Sequence, residues 1–196
     1  MNKRALIPIA LLALAALTLS ACGGGGSDED KVVETIETAA TTTDPSNCTK
    51  LQTQRFNEQN NQVQGEAATK VCEEQAEAGE EQAEGASVSH VAVKDDKATA
   101  EVEFEGGSLG SQTLEVALVQ EDGDWKLDQV EGFARYDGKA LGEEFEAEFK
   151  ENPQGVNPEQ AKCIAGKIAA LSKPDAEELF FGGSSEPIIA IAESCT

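Results

Sequence analysis

The chain has 196 residues, of which 37 are Asp or Glu and 15 are Lys or Arg, giving a formal net charge of −22 at pH 7. A surface this acidic repels nucleic acid and anionic lipid headgroups, so we expect neither nucleic-acid binding nor electrostatic attachment to a membrane. The length suffices for one ordinary domain with an appendage, or for two small domains. The acidic excess indicates a well-solvated surface, with a cationic partner as the alternative explanation.

The amino terminus has the features of an export signal. Lys3 and Arg4 precede an apolar run over residues 5–19, and small residues follow it. The run is shorter than the roughly 20 residues that a helix needs to cross a bilayer. We therefore expect a signal peptide over residues 1–21 and not a permanent membrane span.

The signal ends in Leu19-Ser20-Ala21-Cys22, which resembles the lipobox of bacterial lipoproteins. In that family the cysteine thiol receives a diacylglycerol and becomes the first residue of the mature chain. The resemblance implies that Cys22 is the lipid attachment site and holds the protein at the cell membrane, facing the extracytoplasmic side. Residues 22–30, which include four consecutive glycines, would then form a flexible tether. A plain secreted protein with an accidental cysteine is the alternative.

Four cysteines remain after the lipobox cysteine, and an even number in an exported chain predicts disulfides. They fall into two separated couples, so we expect the pairs Cys48–Cys72 and Cys163–Cys195. Loops of this size make each bridge worth about 3–4 kcal/mol. A zinc site is the alternative, but there is no Cys-x-x-Cys and His90 is the only histidine. We therefore expect no metal.

Three amphipathic helices are predicted before the first strand, over residues 29–42, 46–58 and 64–78, because their apolar residues recur three and four positions apart. Cys72 lies on the apolar stripe of the third helix, where it could reach Cys48 at the start of the second. The first disulfide is thus expected to tie two neighbouring helices together.

From residue 87 the apolar period changes to two, which predicts a four-stranded antiparallel meander. Asp122-Gly123 favours a tight turn between the last two strands. Val130 is out of phase with the residues before it, which predicts a bulge or bend in the last strand. A register slip of one residue would turn His90 inward. The side chains expected to face inward are Val91, Val93, Ala98, Ala100, Val102, Phe104, Leu114, Val116, Leu118, Trp125 and Leu127.

Two motifs in these strands resemble a known fold family. They are V-x-V-x-x-D-x-A-x-A-x-V-x-F at residues 91–104 and V-x-L-V-x-E-D-G-x-W-K-L-D at residues 116–128. With three preceding helices, this order is similar to the cone-shaped fold of nuclear transport factor two and ketosteroid isomerase. The resemblance implies a cone-like domain over residues 31–134.

Residues 135–196 are predicted to form a small helical module. Asn157-Pro158 is a typical cap and first-turn pair, another helix is expected to begin after Ser172, and the last covers residues 187–194. The second disulfide would staple these helices together. The expected fold class is α+β, with N-terminal helices packed on a curved four-stranded sheet, followed by this module.

No motif indicates a nucleophile or a metal-assisted reaction. Histidine is a frequent general base in enzymes, but His90 is expected on the outer sheet face, half-exposed. Ketosteroid isomerases use an aspartate base and a tyrosine–acid pair inside the cone, whereas Tyr136 here lies beyond the last strand. The segment Asp122–Asp124 with Asp128 lacks the spacing of a calcium loop and is expected to be a hairpin turn.

The sequence therefore predicts a lipid-anchored, non-enzymatic envelope protein without cofactor, which binds a small apolar ligand or a partner protein through the open end of the cone. The alternative is a cone-fold enzyme of isomerase or cyclase type, with His90 or Asp128 as general base. A spacer that binds no ligand is a third possibility. A hollow cone would favour binding, and a filled one would favour the spacer.

The lipobox gives the first testable prediction. Cys22→Ser removes the thiol that would be acylated, so we expect the variant to be released from membranes or to stall before cleavage. Membrane fractionation combined with mass spectrometry of the amino terminus measures both outcomes. A cleaved, lipid-modified Cys22→Ser protein that still sediments with membranes would show that Cys22 is not the anchor.

Overall fold

A computed structural model describes residues 26–78, 83–107, 109–151 and 156–195. Within these ranges the chain is α+β, with four helices, a four-stranded antiparallel sheet and four further helices. The signal peptide, the lipobox and Cys22 lie outside them. No helix of the described ranges is long and apolar enough to cross a membrane. The helices are α1 (Asp28–Thr41), α2 (Asn47–Lys50), α3 (Gln54–Asn61), α4 (Glu66–Ala78), α5 (Gly138–Glu151), α6 (Pro158–Ala169), α7 (Lys173–Phe181) and α8 (Glu186–Glu193).

Helix α1 begins inside the stretch that was expected to be tether. The Asp30 N–H donates to Ser27 Oγ at 3.2 Å, and the Ser27 N–H donates to Asp30 Oδ2 at 2.9 Å. This capping box satisfies the first free N–H groups of the helix. The tether prediction for residues 22–30 is therefore wrong from Asp28 onward, because Ser27 and Asp30, both inside the expected tether, form the cap at which a helix begins.

The helix predicted over residues 46–58 is split into α2 and α3. Between them the chain runs beside the last strand: the Thr53 N–H donates to the Leu127 carbonyl at 2.8 Å, and the Leu127 N–H donates to the Leu51 carbonyl at 2.8 Å. Thr53 then caps α3 by accepting from the Phe56 N–H at 3.2 Å. A strand pairing with a distant part of the chain thus interrupts a locally favourable helix.

The strands β1 (Gly85–Lys94), β2 (Lys97–Glu105), β3 (Thr113–Glu121) and β4 (Asp124–Arg135) pair in chain order as an antiparallel meander. The predicted register is confirmed, since the inward set belongs to one apolar core with α1 residues such as Val32 and Ile36. Ala98, Ala100, Val102, Leu114, Val116, Leu118, Trp125 and Leu127 are buried, and Val91, Val93 and Phe104 are partly buried against them.

Strand β4 is irregular where the sequence predicted it to be. Its register against β3 shifts three times, which leaves Asp128, Glu131 and Ala134 as extra residues. Each such bulge bends and twists the strand. A further register shift, between Ser89 and Ala92 of β1, was not predicted.

The free edge of β4 is covered by side chains of two helices. Gln59 of α3 accepts from the Val130 N–H at 2.8 Å and donates to the Val130 carbonyl at 2.9 Å and to the Phe181 carbonyl at 3.2 Å. Glu177 of α7 accepts from the Phe133 N–H at 3.0 Å. These contacts satisfy the backbone groups that an edge strand would otherwise expose.

The C-terminal helices build a second apolar cluster of Leu141, Ile164, Ile168 and Leu179. They also pack against the sheet, because Ala176 of α7 is buried in the sheet core and the Phe133 ring contacts the Phe181 ring at a centroid distance of 5.0 Å. The predicted cap of α6 is found, since Asn157 Oδ1 accepts from the Gln160 N–H.

Both predicted disulfides are found. Cys48–Cys72 joins α2 to α4 with a Cα–Cα distance of 6.0 Å, and Cys163–Cys195 joins α6 to the end of the described chain at 5.8 Å. Each bridge closes a local loop within its own half of the chain. The two couples therefore serve separate parts of the fold, as their spacing predicted.

The hydrogen bonds between Gln59 and the backbone of β4 give a stability prediction. Gln59→Ala leaves the Val130 N–H and carbonyl without their partner, so we expect the free energy of unfolding to fall by about 2–3 kcal/mol. Gln54→Ala on the same helix is the matched control, because the exposed Gln54 side chain hydrogen-bonds to Glu58 and, within the described ranges, to no other residue. Its effect should stay within about 0.5 kcal/mol. Equal losses for the two variants in urea unfolding would contradict this role of Gln59.

Candidate functional site

A cavity of about 750 Å³ lies between the N-terminal helices and the inner face of the sheet. Residues of α1, α2, α3 and α4 line one side of it, and residues of β2, β3 and β4 line the other. The cavity is partly open to solvent. Its volume falls in the range of roughly 300–1,000 Å³ that is typical of small-molecule sites.

The wall formed by the sheet is apolar. Five of its side chains belong to the inward set predicted from the sequence, and none of these can ionise. This wall can contact an apolar molecule over a wide area without breaking any hydrogen bond to water. The large apolar side chains around the cavity are Ile36, Phe56, Val102, Phe104, Leu109, Leu114, Val116, Leu127 and Val130.

One end of the cavity is polar, where the chain leaves α1. Asn47 Nδ2 donates to Thr42 Oγ1 at 2.7 Å, and the Asp44 N–H donates to the same oxygen at 3.2 Å. Asp44 Oδ1 accepts from the Ser46 N–H at 3.0 Å. Hydrogen bonds from Ser46 hold the pKa of Asp44 below its usual value, with a smaller contribution from the Lys50 charge. Asp44 therefore carries a full negative charge at neutral pH.

The Cys48–Cys72 disulfide forms part of the wall. Cys48 is buried, and both cysteines line the cavity. The bridge holds α4 against α2, and α4 contributes Ala76 and Gln75 to the lining. The position of this wall therefore depends on a covalent bond as well as on packing.

The loop between β2 and β3 borders the cavity on the side of the C-terminal helices. Leu109 in this loop packs against both apolar clusters and lines the cavity, as does Glu148 of α5. Ser111 Oγ donates to Glu144 Oε2 at 2.9 Å and so fixes the loop to α5. Burial raises the pKa of Glu144, although this hydrogen bond acts in the opposite direction.

The two base candidates of the enzyme alternative lie elsewhere. The His90 side chain is 74% exposed, and its Nδ1 lies 3.2 Å from a Glu101 carboxylate oxygen. Asp128 accepts from Thr53 Oγ1 and from Arg55 Nη1, each at 3.0 Å. Neither residue lines the cavity.

Two other candidates have structural roles. The Tyr136 hydroxyl donates to the Leu171 carbonyl at 3.1 Å. Asp122 and Gly123 form the turn between β3 and β4, and both have positive φ angles, as a primed hairpin turn requires. Within the described ranges, no three His, Cys, Asp or Glu side chains come together as a metal site would require.

Sequence reasoning missed the polar end of the cavity and Glu148. Thr42 is the last residue of the first predicted helix, and Asp44 falls between the first two predicted helices. Glu148 lies seven positions after Leu141 and three after Phe145, so helical spacing places it on the apolar face of its helix, and this spacing could have identified it. No local pattern identifies Thr42 and Asp44, because they reach the cavity only through the packing of separate elements.

Comparison of the chain with models of known protein families, with curated proteins and with solved structures finds no match. The resemblances to the lipobox and to the cone fold therefore stay predictions from the residues that carry them. Any assignment of function rests on the cavity and its lining.

The environment of Glu144 predicts a pH dependence of stability. Because its folded-state pKa is raised, the folded chain holds this proton to higher pH than the unfolded chain. The free energy of unfolding should then fall as pH rises above the ordinary carboxyl range. Glu144→Gln removes this loss, so its stability relative to the unsubstituted protein should be greater at about pH 7 than at about pH 4.

The matched control is Glu143→Gln, at the adjacent exposed position on the same helix. It removes one negative charge without touching the contact between Ser111 and Glu144. Urea unfolding of the three proteins across this pH interval measures the difference. A relative stability of Glu144→Gln that stays constant with pH would contradict the prediction.

Proposed function

We propose that this chain is a lipid-anchored envelope protein that binds a small, largely apolar ligand in the cavity between its N-terminal helices and its sheet. The observation that supports binding most directly is a cavity of about 750 Å³ with an apolar strand wall and a polar end. Sites of this kind bury an apolar body and orient it with a few polar groups. A spacer that binds nothing would have no need for such a hollow.

We also propose that the domain has the cone fold of nuclear transport factor two and ketosteroid isomerase. The supporting features are helices before a four-stranded antiparallel meander, a strongly bulged last strand and a hollow on the inner face of the sheet. On this proposal the domain covers residues 31–134. The C-terminal helical module, residues 135–196, would close one side of the cone through Leu109 and Glu148.

The proposed location is the extracytoplasmic side of the cell membrane, with Cys22 as the anchor. The lipobox supports this location, and two disulfides are typical of a chain that folds in an oxidising compartment. With α1 beginning at Asp28, the tether proposed between anchor and domain shortens to the residues before it.

Binding is preferred over catalysis because the strand wall offers no acid or base. General acid–base catalysis needs a titrating group within hydrogen-bond reach of the substrate. His90 points to solvent and Asp128 is held by Thr53 and Arg55, so neither can reach a molecule bound on that wall. The ionisable lining residues, Asp44 and Glu148, are not part of the wall of strands.

A neutral dye tests the proposal. N-phenyl-1-naphthylamine fluoresces more strongly in apolar surroundings, so titration with it should show saturable binding. Ala76→Phe places a phenyl ring in the cavity and should raise the Kd of the dye about tenfold or more. Ala67→Phe, at an exposed position of the same helix, adds the same ring outside the cavity and should leave the Kd unchanged.

Thermal unfolding of both variants checks that they are folded. Absence of saturable dye binding to the unsubstituted protein would contradict the proposal. So would equal Kd values for the two folded variants, because the dye would then bind outside the cavity.

A further inference from the structure

The cavity lining has charges of one sign only. Asp44 and Glu148 line it, and the described lining includes no Lys, Arg or His. The positive charge of Lys50 acts on Asp44, but Lys50 is not among the lining residues. Its Nζ donates to Ser46 Oγ at 2.9 Å. Both charged side chains of the described lining are therefore acidic.

Helix α1 adds to this negative field from a second direction. Its C-terminal end carries the negative part of the helix dipole, which favours cations within the last turn. No basic residue occupies that turn. Ala39, Ala40 and Thr42, at this end, all line the cavity. The helix end and the Asp44 carboxylate thus lie at the same polar end.

We propose that the ligand is a cationic amphiphile, with an apolar body on the strand wall and a positively charged nitrogen beside Asp44 and the C-terminal end of α1. This inference rests on the proposed function and specifies its ligand class. The carboxylate and the helix end supply the charge complementarity, while Val116 and Leu127 of the strand wall supply apolar contact.

The charge of the whole protein favours the same ligand. A formal net charge of −22 produces a negative potential around the molecule. Such a potential raises the local concentration of cations and lowers that of anions. Fatty acids and other anionic amphiphiles would meet repulsion both on approach and at the polar end of the cavity.

Three probes of equal chain length separate charge from hydrophobicity: decylamine, which is protonated at neutral pH, 1-decanol and decanoate. Each is titrated below its micellar concentration against the full chain carrying Cys22→Ser, so that no attached acyl chain competes, with displacement of N-phenyl-1-naphthylamine as the readout. We expect the Kd of decylamine to be about tenfold or more below that of decanoate, with 1-decanol between them. Added salt should reduce the ratio of the decanoate Kd to the decylamine Kd, because it screens the charges.

Variants locate the selectivity. Asp44→Asn keeps the size of the side chain but removes its charge. It should reduce the ratio of the decanoate Kd to the decylamine Kd about threefold or more, while leaving the Kd of 1-decanol unchanged. Asp124→Asn is the matched control, since it removes the same charge from the exposed first residue of β4, outside the lining, and should leave the ratio nearly unchanged. Unfolding curves verify that both variants are folded.

The outcomes distinguish the two proposals. If the dye and 1-decanol bind but decylamine binds no better than decanoate, the cationic ligand class is wrong and the binding function stands. If neither the dye nor any of the three probes binds, the binding function fails, and the ligand class fails with it. A ratio that falls equally in Asp44→Asn and Asp124→Asn would assign the preference to net charge and overturn the site at Asp44.

Discussion

A strand at the edge of a half-buried sheet needs partners for the backbone groups that its single neighbour cannot reach, and β4 finds them in three separate segments. The backbone of Leu51 and Thr53, the amide of Gln59 and the carboxylate of Glu177 cover it in turn. This one edge therefore fixes α2, α3 and α7 relative to the sheet. The helical side of the cavity is held at its distance from the strands by the same contacts.

The sheet could be predicted because its signal is local. Alternation along β2 and β3 identifies the buried face, and a slip of one residue would have exposed it. The break at Leu51–Thr53 could not be predicted, since its cause is Leu127, far along the chain. Ser27 and Asp30 were ambiguous for another reason: serine and acidic residues suit a solvated linker and a capping box equally well.

The cavity was predictable in part. Period-two alternation shows which side chains face inward, but it does not show what covers them or how much space remains. The hollow depends on small residues at the helical side, such as Ala39 and Ala76, and on the distance at which α4 is held. The polar end depends on where α1 stops relative to the sheet. Both are properties of packing between elements, for which a single sequence carries no direct signal.

The Cys48–Cys72 bridge in the cavity wall has a consequence for the order of events during biogenesis. On the proposed route the chain passes from a reducing cytoplasm into an oxidising compartment, and a disulfide persists only in the second. Because α2 and α4 both line the cavity, their covalent connection completes its wall after translocation and not before. Newly made chains awaiting export would hold this wall by packing alone, and its covalent fixation would be confined to the compartment in which the mature protein resides.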